Sequence, residues 1–214
     1  MKQRSGKTVG AKGRHRVQSQ PPREHRPSGN ALFLVGFMGA GKTSVGRALG
    51  QQLNWLFEDL DDRIERCEGR TVQDIFRDSG ESEFRRAEQA ALQGLLEEVR
   101  RGASVVVALG GGTFAQDQNH NAIQASGIWT VFLDAPLPEL WNRCTNQAES
   151  GTKRPLQTSK SKFRETYNAR LEYYRTASQK VETAGKEVEA IAAEIARTLG
   201  LKKIEIRTQQ GEVE

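Results

Sequence analysis

The 214-residue chain is poor in the side chains that most often build metal and redox sites, with two cysteines and three histidines. Cys67 and Cys144 stand far apart, with neither metal-site nor redox-pair spacing, and read as free thiols of a reducing compartment. Only His120 lies outside the first thirty residues, which excludes a histidine-based triad or metal site; it reads as a surface residue. No apolar run is long enough to span a bilayer, and the N-terminus lacks the apolar core of a secretory signal.

Charge is also scarce where it would matter for binding nucleic acid. The net charge is +5, yet in residues 1–30 eight Lys and Arg face the single acid Glu24. That stretch carries +7 and leaves −2 for the other 184 residues, so the body is not basic and the excess of positive charge gives no argument for specific nucleic-acid recognition. With almost no aliphatic residues, 1–29 reads as a disordered basic arm. Being rich in arginine and poor in acids, it is alternatively a plastid transit segment on an otherwise cytoplasmic protein. One domain over 30–200 and a C-terminal tail over 201–214 complete the expected organisation.

What is present centres on Gly36-Phe37-Met38-Gly39-Ala40-Gly41-Lys42-Thr43, a complete G-x-x-x-x-G-K-[ST] pattern directly after the apolar strand Ala31–Val35. Its glycines permit turns that aim successive N–H groups at phosphate oxygens, and Lys42 adds a point charge. The helix expected over Thr43–Leu53 begins with Thr43 and Ser44, where the amide dipoles favour an anion and the Thr43 hydroxyl suits Mg²⁺. Gly39, Ala40, Gly41, Lys42, Thr43 and Ser44 are the expected contacts of a nucleoside triphosphate.

The alternation continues with a strand at Trp55–Phe57, helices over Asp61–Glu68, Thr71–Arg77 and Glu81–Arg101, and an unbroken apolar strand Val105–Leu109. A helix over Gln118–Ala125, a strand Ile128–Leu133 and a helix Leu137–Thr145 follow. Residues 147–160 lack periodicity and read as a lid. A helix Ser161–Thr176, a strand Lys180–Thr183 and a helix Lys186–Leu199 close the domain. Such an order predicts a parallel sheet covered on both faces.

Extended-chain alternation past Phe57 would put Asp59 and Asp61 on one side, beside the phosphate loop: one for Mg²⁺, the other for an acceptor hydroxyl. A solvated helix cap is the plainer reading of the same pair. Gly110-Gly111-Gly112 follows a central strand, where ligands collect in open α/β sheets. Arg85, with Glu88 one turn on, reads most plainly as half of an exposed intrahelical pair. Arg170 shares a helix face with Phe163, Tyr167 and Tyr174, an inward setting in which a guanidinium needs a partner such as a substrate carboxylate. Lys153-Arg154-Pro155 would bring a cation over the phosphates as the lid closes.

Taken together, the loop at 36–43, Asp59-Leu60-Asp61, Phe84-Arg85-Arg86-Ala87-Glu88, the triple glycine and Arg154-Pro155-Leu156 closely resemble the shikimate kinases over about residues 31–177. The resemblance implies the nucleoside-monophosphate-kinase-like fold, a five-stranded parallel sheet of order 2-3-1-4-5. It also implies transfer of the ATP γ-phosphate to the 3-hydroxyl of shikimate, with one Mg²⁺ held by Thr43 and Asp59, in a cytoplasmic monomer. On that reading Asp61, Lys42 and Arg154 are catalytic, and Arg154 also contacts ATP. Asp61, Arg85, Gly110, Gly111, Gly112 and Arg170 hold shikimate. The chain departs from the family in having no arginine between Arg143 and Arg154 and no proline in 184–188, which bears on the adenine contacts. The rivals are a kinase for another hydroxy acid such as gluconate and a catalytically silent nucleotide-binding module.

Overall fold

The structure is a computed structural model that describes residues 30–149 and 159–205. The basic arm, Lys153, Arg154 and Pro155 of the expected lid, and the chain after Glu205 lie outside the described residues.

Five strands form one all-parallel sheet: β1 (Ala31–Val35), β2 (Leu56–Asp59), β3 (Val105–Ala108), β4 (Trp129–Asp134) and β5 (Gln179–Glu182). Their spatial order is β2-β3-β1-β4-β5, the order expected from the sequence. β1 and β3 are buried along their whole length, as the uninterrupted apolar runs require of strands covered on both faces. Side chains from both faces join one core, from Phe33 and Val107 in the sheet to Leu49, Leu92 and Ile195 on the helices.

The helices are α1 (Lys42–Leu53), α2 (Leu60–Glu68), α3 (Val72–Arg100), α4 (Asp117–Ser126), α5 (Leu137–Glu149), α6 (Lys160–Tyr174) and α7 (Val188–Thr198). The expected apolar stripe Phe84, Ala87, Ala91, Leu95 and Val99 of α3 is buried in full. Thr71 caps α3 by accepting the Asp74 N–H at 3.1 Å. The break expected between Arg77 and Glu81 is a kink at Gly80, whose φ of 79° and ψ of 179° interrupt an otherwise continuous helix.

Three expectations change. The chain does not stay extended through Asp61, because the Asp59 carboxylate accepts the Asp61 N–H at 3.1 Å and starts α2 at Leu60. α5 runs through Glu149 and takes the first residues of the expected lid. The body does not end at residue 200: Leu201 and Ile204 pack against the core, and the Ile204 N–H donates to the Leu53 carbonyl at 2.9 Å.

Candidate active site

The phosphate loop lies between β1 and α1, wedged against β4 and α5. A Cβ on Gly39 would stand 2.8 Å from the Leu140 carbonyl oxygen and 2.9 Å from Cys144 Sγ, and the backbone there has φ 78°, so only glycine fits. Gly41 caps α1 without a side-chain acceptor, so the helix N-terminus, which favours an anion, opens directly from the loop. Lys42 Nζ donates to the carbonyls of Gly36 at 3.0 Å and Phe37 at 3.1 Å, so its charge lies across the loop. Ala40 is buried and its N–H closes the loop on the Phe37 carbonyl at 3.2 Å.

Next to the loop, Thr43 Oγ1 donates to Asp59 Oδ2 at 2.8 Å. The two residues expected to hold a metal are thus neighbours, brought together by the starts of α1 and α2. Their donors are all oxygen, a hydroxyl and one carboxylate. That set fits Mg²⁺, which takes one or two protein ligands and completes its shell with phosphate and water. Among the described residues no cluster of three or more His, Cys, Asp and Glu offers the closed cage of a structural metal.

Asp61, in the first turn of α2, points at the triple glycine rather than standing beside Asp59 on a strand. A Cβ on Gly110 would meet Asp61 Oδ1 at 2.9 Å and Thr113 Oγ1 at 2.8 Å. A Cβ on Gly112 would stand 3.3 Å from guanidinium nitrogens of both Arg85 and Arg170. Gly110, Gly111 and Gly112 therefore lie against one carboxylate and two guanidiniums. They also touch the nucleotide side, since a Cβ on Gly111 would be 3.6 Å from the Met38 amide nitrogen.

Arg85 is not half of an exposed pair. Its Nη1 donates to Glu88 Oε2 at 2.9 Å, and Glu88 is only 1 % exposed; Nη2 reaches the exposed Glu81 at 3.0 Å. Burial lowers the Arg85 pKa, but the charge of Glu88 and its hydrogen bond, followed by Glu81, more than reverse this, so the guanidinium stays protonated. Glu88 Oε1 also accepts from Thr113 Oγ1 at 2.6 Å, which ties α3 to the turn after Gly112. Arg170, half-buried, finds its partner in the Gly111 carbonyl at 3.1 Å, an oxygen that Tyr174 OH also donates to. Burial pushes the Tyr174 phenol up to about 12, against the opposing charge of Arg170.

Lys42, Thr43, Asp59, Asp61, Arg85, Arg170 and the three glycines are thus gathered at one end of the sheet. Ser44 is exposed on the first turn of α1, and Arg154 lies outside the described residues. Sequence reasoning undervalued Glu88 and gave no role to Phe37 or Arg143. Arg143 pairs with Glu139 and donates to the Gly39 carbonyl at 3.3 Å, placing a guanidinium over the phosphate loop. Its spacing of four from Glu139 was the only signal, and exposed pairs share it. His120 is not a plain surface residue: it bonds Thr176 Oγ1 at 2.8 Å and meets the rings of Phe114 and Tyr173 edge-on.

A model of the shikimate kinase family matches residues 38–200. The chain is 35% identical to the shikimate kinase of Persephonella marina over 77% of its own length and 95% of that protein's. It is 37% identical to the shikimate kinase of Cereibacter sphaeroides, over 84% and 87%. Among solved structures, the shikimate kinase of Acinetobacter baumannii in complex with shikimate aligns with a TM-score of 0.72 at 30% identity, covering 83% of this chain and 97% of that one. The Aquifex aeolicus enzyme aligns at 0.66 and 32%, covering 79% and 96%.

Proposed function

As the chain belongs to the shikimate kinase family, we infer that it moves the γ-phosphate of ATP to the 3-hydroxyl of shikimate, with Asp61 at the acceptor and the phosphate loop at the donor. ATP-dependent phosphorylation of shikimate is its activity. What supports this division of labour is the pair of guanidiniums, from α3 and α6, that meet over Gly112 within reach of the phosphate loop.

Arg85 and Arg170 would grip the shikimate carboxylate through charge-assisted hydrogen bonds, fixing the ring over Gly110, Gly111 and Gly112. That leaves a ring hydroxyl facing Asp61. Its carboxylate takes the hydroxyl proton as the new oxygen–phosphorus bond forms, while the bond from the γ-phosphorus to the β,γ-bridging oxygen breaks and ADP leaves. Lys42 and the first amides of α1 stabilise charge on the transferring group and on the departing β-phosphate. Thr43 and Asp59 would hold one Mg²⁺, which neutralises phosphate charge when bound. Arg154 is assigned to the phosphates on the likeness of Arg154-Pro155-Leu156 to the family's sequence.

We place the reaction in the cytoplasm, with the chain acting as a monomer. The free thiols of Cys67 and Cys144 suit a reducing compartment, and no helix among the described residues is long and apolar enough to cross a membrane. ADP release measured with Mg²⁺ and ATP against shikimate, gluconate and a nucleoside monophosphate tests the acceptor. Turnover of shikimate alone is expected; a preference for either other acceptor would overturn the assignment.

A further inference from the structure

We propose that Phe37, a residue of the phosphate loop, is a positioning residue for the acceptor: its ring sets Arg170 and through it the shikimate carboxylate. This rests on the reading above, in which Arg170 binds that carboxylate.

Within its motif the second position carries no chemistry, since its amide and carbonyl serve the loop and its side chain is free to vary. Here that side chain is 1 % exposed and buried in α6. The ring meets Phe163 edge-on at 4.9 Å and Tyr167 edge-on at 5.4 Å, and the Arg170 guanidinium lies over it at 5.8 Å. Spacings of four and three put these residues on one helix face, so Phe37 is a knob in the hollow they form. Arg170 is then held from two directions, by the π-face of Phe37 and by the Gly111 carbonyl at 3.1 Å. A flexible side chain restrained in this way loses less freedom when it takes up a carboxylate, so the ring favours acceptor binding without touching the acceptor.

Steady-state kinetics with each substrate varied in turn test the proposal on Phe37→Leu, Phe37→Met and Phe37→Tyr, with melting curves recorded for each. Phe37→Leu and Phe37→Met lack the π-face and are expected to raise the KM for shikimate about fivefold or more, with the KM for ATP within about twofold. Phe37→Tyr, which keeps the face, is expected to restore most of the difference. A ring that only supports the loop would instead raise the KM for ATP, and that result overturns the proposal, as does a shikimate KM unchanged in Phe37→Met. Should the smaller variants fail to fold, Phe37→Tyr and Phe37→Trp decide: shikimate KM values within about threefold of wild type support a ring-face role, and a change confined to ATP refutes it. Wild-type protein inactive on shikimate would mark failure of the functional reading itself, separately from that of Phe37.

Discussion

Arg85 of α3 and Arg170 of α6 come from helices far apart in sequence, yet nitrogens of both lie 3.3 Å from the position a Cβ on Gly112 would take. A methyl group there would crowd both guanidiniums, which glycine leaves undisturbed. Gly112 has an ordinary φ of −105°, so alanine strains no backbone there. Gly112→Ala should raise the KM for shikimate about tenfold, roughly 1.4 kcal/mol, with the KM for ATP within about twofold. Arg85→Lys and Arg170→Lys should each do the same by keeping the charge and losing the fork. Kinetics with each substrate varied in turn check all three.

Glu88 bears on both stability and acceptor binding. It is the buried end of a pair with Arg85 and the acceptor for Thr113. Glu88→Gln should cost roughly 2 kcal/mol, less than a fully buried pair because Arg85 is partly solvated, and lower the melting temperature by several degrees. It should also raise the KM for shikimate, since Arg85 loses the partner that orients it. An unchanged melting curve would return the pair to the surface role.

The site was legible where chemistry and spacing coincide. The phosphate loop follows an apolar strand and precedes a helix, and Arg170 stands at helical spacing from Phe163, Tyr167 and Tyr174. Glu88 was illegible because three residues of helical spacing from an arginine look the same on a surface and in a core. Only the turn from Gly110 to Thr113, which folds over it, makes the difference. The Asp59 and Asp61 pair shows the wrong local geometry in the sequence, because a capping carboxylate and a strand-end carboxylate share one pattern. The element order was readable from apolar periodicity; the docking of Leu201 and Ile204 on the core was not, since two apolar residues in a charged tail show no period.

Asp59 both caps α2 and is assigned to Mg²⁺, and asparagine separates the two. Asn is as good a cap, so Asp59→Asn should leave stability within about 0.5 kcal/mol. Losing the charge should raise the Mg²⁺ needed for half-maximal rate by at least about tenfold. Titrating activity with Mg²⁺ at fixed ATP checks it.

Tyr174 carries a pH signature. Its phenol is raised from 10.0 to about 12 in the folded protein, chiefly by burial. Above pH 10 the unfolded chain releases this proton while the folded one keeps it, so stability is full below pH 10 and falls as pH rises toward 12. The loss should be on the order of 2 kcal/mol. Tyr174→Phe should start about 1 kcal/mol less stable, for its lost bond to the Gly111 carbonyl, and show a flatter alkaline limb. Denaturant melts between pH 8 and 11.5 give both slopes.

The most direct test of the account follows the transferred phosphate itself. With Mg²⁺, ATP and shikimate, phosphorus and proton magnetic resonance should show one phosphate ester, on the 3-hydroxyl, appearing in step with ADP. Asp61→Asn should slow that signal by about a hundredfold or more without unfolding the protein. Phosphorylation at another hydroxyl, or a well-folded Asp61→Asn protein forming the ester at the wild-type rate, would contradict it.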